Sequence, residues 1–226
     1  MRYLLSLDFS VVWQFAGQIG VGLAMTLFLW LSSGMSGLIL GTLLAIMGRS
    51  ANRLVRLLAD GYIEIWRNTP LLVQLFWVHF ALPSFTGVTT TALQSGLLAL
   101  TGNVTAYFAE IIRAGIQSVD RGQWDAAYAL GLHRYALWRT VILPQVVKII
   151  LPPLTSLYIS LLKATAILSV LSISELMRVV TSLSNNTFRP VELLTFAAVL
   201  YSITGLCVAR LGSHLEKRMA VSGVRQ

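Results

Sequence analysis

Charged and hydroxyl side chains interrupt two apolar stretches of the sequence at places where they could bind a polar ligand. The candidate residues are Glu64, Arg67, Thr69, Lys163 and Thr165. A charge inside an apolar stretch is costly unless it is paired or faces a water-filled path, so these residues are functional candidates by default. Guanidinium, ammonium and hydroxyl groups all suit a carboxylate. The five residues therefore predict a path for a polar solute, in which Arg67, Lys163 and the helix start would suit a carboxylate.

The pair Thr69-Pro70 predicts that one helix ends and another begins inside the second apolar segment. Threonine can cap a helix N-terminus, and proline has no N–H to lose in the first turn of a helix. The new helix would direct its positive end toward the path. A structural alternative is a proline kink in which Glu64 and Arg67 pair with each other. For Lys163 the alternative is a side chain that extends to the lipid head groups.

A polar and basic stretch after the third apolar run predicts two short helices that meet at a bend. The first predicted helix covers 122–130, with Asp125 in its opening turn, where an acidic side chain suits the positive helix end. Gly131 is the predicted stop of this helix. The second helix, 134–141, is predicted to run into Pro144. Small residues at the bend would leave room for a partner.

The spacing in this stretch resembles the E-A-A-x3-G-x9-I-x-L-P signature of ABC importer permeases. The matching positions are Asp125, Ala126, Ala127, Gly131, Val141, Leu143 and Pro144. Two of them depart conservatively, since Asp125 replaces Glu and Val141 replaces Ile. The segments 62–70 and 107–123 are similar to the polar amino acid branch of that family, which takes up glutamate, glutamine, histidine, arginine or opines. The resemblance covers nearly the whole chain.

The resemblance implies an all-α, polytopic membrane protein with the five-helix core of type I, methionine-permease-like ABC importers. It also implies a coupling helix that inserts into a groove of a separate ATP-binding subunit. The coupling residues would be Gly122, Asp125, Ala126, Ala127, Gly131, Leu143 and Pro144. ATP and Mg²⁺ would be bound by that partner and no cofactor by this chain. Further implied partners are a second permease copy or paralogue and a periplasmic amino-acid-binding protein.

The composition is that of a membrane protein, with 56% hydrophobic residues, 12% charged residues and a mean hydropathy of +0.73 over 226 residues. Its contacts should therefore include membrane lipid. The net charge of +8 does not indicate nucleic acid, because Lys and Arg lie in loops between apolar runs. One transmembrane domain is predicted over 1–226. Its predicted spans are 19–47, 57–82, 92–112, 146–171 and 193–208, with 113–145 as the coupling loop and 1–18 at the membrane interface. The fourth span is predicted to be interrupted by Pro152-Pro153 and by Lys163.

The distribution of basic residues predicts the orientation. Eleven Lys and Arg fall in the segments assigned to the inside and three, Arg2, Arg178 and Arg189, in those assigned to the outside. Positive residues favour the cytoplasmic side. The N-terminus is therefore predicted outside and the C-terminus in the cytoplasm of a bacterium, with the chain in the inner (plasma) membrane and the coupling loop on the side where ATP is found.

Catalysis by this chain is not expected. The sequence contains no G-x-x-x-x-G-K-[ST] loop, so a nucleotide would have to be bound by another subunit. His79, His133 and His214 are far apart in the sequence, which argues against a metal site or a histidine-based catalytic site. Two alternatives to an ABC permease remain. A secondary transporter should show an internal duplication with paired broken helices, and a membrane-embedded enzyme should show clustered catalytic groups.

The substrate class depends on the segment around Lys163. The segment 163–167 is similar to a Lys-Asp-Thr-Ser-Leu segment that is frequent in the polar amino acid branch, but Ala164 and Ala166 depart from it. If the acidic residue holds a cationic amino acid there, its absence favours an acidic amino acid, glutamine or an opine over arginine or histidine. A further alternative is that this subunit forms no substrate pocket and its partner does.

Overall fold

The computed structural model describes residues 7–221, with side chains described up to residue 219. Arg2 and Arg225, which contribute to the charge distribution above, lie outside the described residues. Every regular element in the described part is helical. The nine helices are α1 Ser10–Gln14, α2 Ala16–Met47, α3 Arg53–Asn68, α4 Leu71–Thr86, α5 Ala92–Gln117, α6 Arg121–Ala129, α7 Arg134–Leu171, α8 Leu176–Thr187 and α9 Pro190–Val221.

Three of these helices are long and apolar enough to cross a membrane: α2, α7 and the part of α9 from Pro190 to Met219. About 20 residues are needed to cross the hydrocarbon core, and these stretches contain 32, 38 and 30. α4 is a shorter apolar helix. Many large apolar side chains on these helices are exposed, among them Val21, Ile39, Ile46, Phe80 and Ile203. Such a surface suits a hydrocarbon environment.

The most extensive helix interface pairs α2 with α5, and glycines of α2 make it close. A Cβ atom at Gly41 would lie 2.6 Å from the Cβ of Phe108, and one at Gly37 would overlap Val104. Small residues let helix backbones approach closely within a membrane. Phe108 and Leu29 are fully buried in the core beside this contact. The two helices therefore form a tightly packed base, against which α3 and α7 also pack.

The second apolar segment is broken at the predicted place. α3 ends at Asn68, Thr69 and Pro70 have extended backbone with ψ of 134° and 135°, and α4 then begins. The predicted role of Thr69 as the cap of the new helix is wrong. Its hydroxyl donates to the carbonyl of Ile65 at 2.6 Å, so it belongs to the end of α3, and Pro70 occupies the N-cap position of α4.

The bend after α6 forms at Gly131 as predicted. Gly131 has a φ of 72°, the left-handed conformation that glycine adopts without steric cost. The predicted position of Asp125 in the opening turn is wrong, because α6 begins at Arg121 and places Asp125 in its second turn. Asp120 is the N-cap, and its carboxylate accepts a hydrogen bond from the Gly122 N–H at 2.7 Å.

α7 is continuous where the sequence predicted two interruptions. The second short helix does not end at Pro144; a π-helical turn at Leu137–Ile142 leads directly into the α-helical part, which begins at Leu143. Pro152 and Pro153 lie inside the helix and do not break it. The α-helical part ends at Ala164, where a 3₁₀ segment follows. One helix therefore extends from the bend into the core of the bundle.

A buried carboxylate joins α8 to two other helices. Glu175 is fully buried and accepts hydrogen bonds from the N–H groups of Met177 and Arg178 at 2.9 and 2.6 Å, as the N-cap of α8. The hydroxyls of Tyr201 on α9 and Thr26 on α2 donate to the same carboxylate at 3.0 and 3.5 Å. These four donors offset the cost of burying the carboxylate. Glu175 therefore fixes the position of α8 against α2 and α9.

Candidate functional site

A cavity of about 730 Å³ lies at the helix break between α3 and α4. Its walls come from the α3–α4 junction, from α5 and from the end of the α-helical part of α7. Volumes between about 300 and 1,000 Å³ are typical of small-molecule sites. The polar lining residues are Arg67, Asn68, Thr69, Asn103, Tyr107 and Ser160. Among the residues described as lining it, Arg67 is the only charged one, so the cavity presents one positive charge in a largely neutral wall.

The backbone of the break is satisfied by two amide side chains. Because Pro70 has no N–H, the carbonyl of Trp66 loses its helical donor. The Nε2 of Gln74 donates to this carbonyl at 2.7 Å and to the carbonyl of Thr69 at 3.0 Å. Asn103 on α5 donates to the Oε1 of Gln74 at 2.9 Å. The break is thus a fixed feature of the fold, tied to α5 by a buried amide pair.

A charge cluster of four residues, Asp60, Arg67, Glu110 and Arg113, lies beside the cavity and connects α3 with α5. Arg113 contacts Asp60 at 2.8 Å and Glu110 at 2.7 Å. Arg67 contacts the same Glu110 oxygen, Oε2, at the longer distance of 3.5 Å. The side chains are between 25% and 41% exposed, so solvent screens these ion pairs. Arg67 is therefore the member of the cluster that reaches the cavity and is held least tightly.

Tyr107 positions the end of α3 from the α5 side. Its hydroxyl donates to the carbonyl of Arg67 at 3.4 Å, and the guanidinium carbon of Arg67 lies 5.9 Å from the centre of its ring. That second distance is within the range of a cation–π contact. One turn earlier on α3, the Tyr62 hydroxyl donates to the carbonyl of Gly102 at 2.9 Å. Both contacts keep the helix break in a fixed register against α5.

Two of the five path residues predicted from sequence line this cavity: Arg67 and Thr69. Glu64 is exposed, lies outside the lining and accepts a hydrogen bond from Asn68 at 2.8 Å rather than pairing with Arg67. Lys163 is exposed and does not line the cavity, although its neighbour Ala164 does.

Thr165 is fully buried, and its hydroxyl donates to the carbonyl of Leu162 at 2.7 Å. It completes the end of the α-helical part of α7. The structure thus brings together Arg67 and Thr69 and places Glu64, Lys163 and Thr165 elsewhere.

Sequence reasoning missed polar groups in the wall of the cavity and beside it. Gln74 and Asn103 each place an amide side chain in a mainly apolar helix. An isolated amide of this kind was the sequence signal that could have identified them as site residues. Glu110 and Arg113 stand three residues apart on α5, a spacing that predicts a contact within one helix but not the contacts with α3. Their partners on α3 depend on how the two helices pack.

The hairpin formed by α6 and the start of α7 is a second candidate site. Of its predicted coupling residues, all but one are exposed: Gly122, Asp125, Ala126, Gly131, Leu143 and Pro144. Ala127 is the exception, since it is buried in a cluster that joins Leu137 and Ile142 of the hairpin to Ala45 of α2 and to Ile112 and Ile116 of α5. Trp124 and Trp138 meet edge to face at 5.5 Å between ring centres and fix the two arms.

Large apolar side chains stand on the surface of this hairpin. Leu130 is 80% exposed and Tyr128 is 58% exposed, on the last turn of α6 beside Gly131. Tyr135 on the other arm is 65% exposed. An exposed apolar patch bordered by polar residues is typical of a protein interaction site. We therefore treat the hairpin as a docking surface and the cavity as a ligand site.

Comparison with known proteins gives a consistent result. Residues 37–221 match the family model described as the binding-protein-dependent transport system inner membrane component. The chain is 38% identical over 186 residues to a protein of Rickettsia bellii named as a glutamine transport system permease, covering 82% of this chain and 85% of that protein. It is 35% identical to the arginine transport system permease protein of Bacillus subtilis, and the match covers 95% of this chain and 98% of that protein.

A third relative is the glutamate/aspartate import permease protein of Escherichia coli O6:H1, which is 32% identical and for which the matched region covers 88% of this chain and 92% of that protein. Among solved structures, an amino acid ABC transporter crystallised with histidines matches with a TM-score of 0.88 at 38% identity, over 94% of this chain and 99% of that one. An inward-facing methionine ABC transporter matches with a TM-score of 0.76 at 18% identity, over 91% and 98%, and shows the same fold.

Proposed function

The chain belongs to the family of binding-protein-dependent transport system inner membrane components and is a permease subunit of a polar amino acid ABC importer, and from that premise we propose that it carries an acidic amino acid or glutamine. The predicted all-α, polytopic ABC permease fold is confirmed. Family membership also decides against the secondary transporter considered from sequence.

The position of Arg67 in the cavity carries this proposal. Every free amino acid has a carboxylate, and moving it through a region of low dielectric requires a fixed partner because an unpaired charge there is costly. Arg67 offers a planar donor set that suits a carboxylate. Its backbone is held by Tyr107, and it stands where α3 ends and the chain is broken. A substrate carboxylate in the cavity would thus meet a positive group that is already in position.

The absence of an acidic residue from the described lining favours acidic amino acids and glutamine over cationic ones. A cationic side chain would need a carboxylate partner in the cavity, and the lining offers only neutral groups besides Arg67. Ala164 lines the cavity at the position where similar segments of the polar amino acid branch frequently have Asp. A neutral wall at that position supports the substrate class inferred from sequence.

We further propose that the hairpin of α6 binds a separate ATPase subunit, which would hold ATP and Mg²⁺, while this chain performs no catalysis. The exposed Tyr128 and Leu130 beside the Gly131 bend support this docking role. The proposed complex also contains a second permease copy or paralogue and a periplasmic amino-acid-binding protein. In the proposed topology five spans cross the bacterial plasma membrane, with the N-terminus outside and the hairpin and C-terminus in the cytoplasm.

Direct binding tests the substrate proposal without the specificity of a binding protein. The purified complex of this chain with its ATPase subunit should bind radiolabelled glutamate, aspartate or glutamine more tightly than arginine or histidine. Replacing Arg67→Gln removes a charge-assisted bond of about 1.5–3 kcal/mol and should weaken binding by about ten- to a hundredfold. Tighter binding of arginine than of glutamate and glutamine, or unchanged affinity in Arg67→Gln, would overturn the proposal.

The second predicted path segment has its own variant. Lys163→Met keeps the length of the side chain and removes the charge. A comparable loss of affinity would extend the proposed path to the exposed side of α7. Unchanged affinity would leave Lys163 as a side chain that extends to the lipid head groups, in agreement with its exposed position outside the cavity.

A further inference from the structure

One carboxylate oxygen in the charge cluster is shared unequally between two guanidinium groups. The Oε2 of Glu110 lies 2.7 Å from Arg113 and 3.5 Å from Arg67. The first distance is that of a strong charge-assisted hydrogen bond, and the second is an ion pair without a short bond. Arg113 is in turn held by Asp60 at 2.8 Å. Glu110 is therefore held by Arg113, and it neutralises Arg67 only from a distance.

We propose that Glu110 is a positioning residue that sets the charge Arg67 presents to the cavity, and that it thereby sets the preference between anionic and neutral amino acids. This inference rests on the proposed function of the cavity. Glu110 itself does not line the cavity, whereas Arg67 and Tyr107 do. Its effect on a ligand must therefore act through Arg67.

The charge balance of the cluster explains the direction of the effect. Two arginines and two carboxylates give no net charge. The positive field of Arg67 at the cavity is therefore partly cancelled by the neighbouring carboxylates. A zwitterion such as glutamine needs only its α-carboxylate matched. Glutamate brings a second negative charge, which is attracted less strongly by an Arg67 that Glu110 partly neutralises. Removing the charge of Glu110 leaves a net positive cluster and should favour glutamate over glutamine.

The loose contact also makes Arg67 available to a ligand. Because Glu110 keeps its short bond to Arg113, a substrate carboxylate can replace it at Arg67 without leaving Glu110 unpaired. The Tyr107 hydroxyl holds the backbone of Arg67 during this exchange. A 2.7 Å bond between Arg67 and Glu110 would instead have made the ligand compete with a strong ion pair.

Equilibrium binding of glutamate and glutamine to the purified permease–ATPase complex tests the inference. The two ligands differ by one charge at nearly equal size. In Glu110→Gln the ratio of the two dissociation constants should shift toward glutamate by about three- to tenfold, a range reduced by solvent screening because the cluster is about one-third exposed. Glu216→Gln, near the C-terminal end of α9, removes the same charge far from the cavity and should leave the ratio unchanged.

A double variant separates positioning from a merely structural role. In the Arg67→Gln background, the step to Glu110→Gln should shift the ratio little, because the group through which Glu110 acts is gone. A full shift in that background would overturn the inference, as would an unchanged ratio in Glu110→Gln alone. If Glu110→Gln does not accumulate, Asp60→Asn, which removes the carboxylate paired with Arg113, should shift the ratio in the same direction by about twofold, and no shift there would also overturn it.

The two proposals fail in different ways. If the complex without substitutions binds neither glutamate nor glutamine, the proposed function of the cavity is wrong. If that complex binds both, Arg67→Gln weakens binding, and the substitutions at Glu110 and Asp60 leave the ratio unchanged, the proposed function of the cavity stands and Glu110 has no influence on its preference.

Discussion

The hairpin of α6 and the region around the cavity are both polar, but the contacts that hold them span very different distances along the chain. In the hairpin, Asp120 caps an N–H two residues away, and Trp124 meets Trp138 on the adjacent arm. Around the cavity, Asp60 contacts Arg113, 53 positions later in the chain. The polar groups of the hairpin are thus paired within its own sequence, although its buried side chains also pack on α2 and α5, while the cavity exists only when α3, α5 and α7 have packed.

This difference in range matches the proposed roles. A hairpin that satisfies its own polar groups leaves its outer side chains free for another subunit, and Leu130 and Tyr128 are exposed accordingly. The amides and ion pairs around the cavity connect helices, so a change there reaches several parts of the fold. A docking surface and a ligand site therefore need opposite kinds of construction, one local and one long-range.

The largest expected effect is an all-or-none difference in chemical labelling, which tests whether the hairpin faces the cytoplasm. In a Cys207→Ser background, Ser84→Cys and Asn185→Cys should react with a membrane-impermeant thiol reagent added to intact cells. Ser50→Cys, in the loop before α3, and Ser118→Cys, just before the hairpin, should react only after the cells are opened. Removal of Cys207 is required because this single cysteine is exposed. Labelling of Ser118→Cys in intact cells would reverse the proposed orientation.

A smaller but still strong effect is expected at the hairpin surface. Leu130→Asp places a charge on an 80% exposed position, so the fold should be kept while ATP-driven uptake falls by about tenfold or more, as at an interface hot spot. Leu130→Met is the matched control and should retain uptake. Ala127→Arg does not give a clean test, because Ala127 is buried and the substitution would disrupt the hairpin itself. Normal uptake by Leu130→Asp would mean that the docking surface does not include Leu130.

The smallest expected effect is a loss of stability at the helix break. Gln74→Leu leaves the Thr69 carbonyl without its side-chain donor and the Trp66 carbonyl with only the longer bond from Asn103 at 3.5 Å, and it should lower the free energy of unfolding by about 1–3 kcal/mol. Unfolding of the purified chain in mixed micelles, followed by circular dichroism, measures this change. Gln117→Leu, at the exposed end of α5, is the control and should change it little. Equal stability of both variants would mean that Gln74 is not what stabilises the break.

The features that sequence reasoning found are those with local causes. Gly131 requires a left-handed backbone that few other residues adopt, and Pro70 removes a helical N–H wherever it stands. The start of α6 was predicted less well, since Asp125 was expected in its opening turn and Asp120 was not considered as its cap. The structure selects Asp120, and it assigns Thr69 to the preceding helix. Local rules thus located the helix breaks, but not always the residue whose side chain caps the free backbone groups there.

The features that sequence reasoning missed depend on the surroundings. Pro144, Pro152 and Pro153 predicted interruptions by rules derived from water-exposed chains. In an apolar bundle, a break would leave more backbone groups unpaired than a continued helix with a few lost bonds, and α7 continues. Glu175 has partners on three helices, and Gln74 is recognised by the carbonyls it meets. Such partners are determined by packing, which the order of residues alone does not reveal.

The continuity of α7 has a mechanical consequence. The helix begins at Arg134, three residues after the bend, and its α-helical part ends at Ala164, which lines the cavity. At about 1.5 Å per residue, the stretch from Arg134 to Ala164 is a rod about 46 Å long. A tilt of about 5° around its midpoint would displace each end by about 2 Å, comparable to helix shifts in known switching proteins. A displacement of the hairpin would therefore move the cavity wall through the tilt of one helix, without a chain of intermediate side-chain contacts.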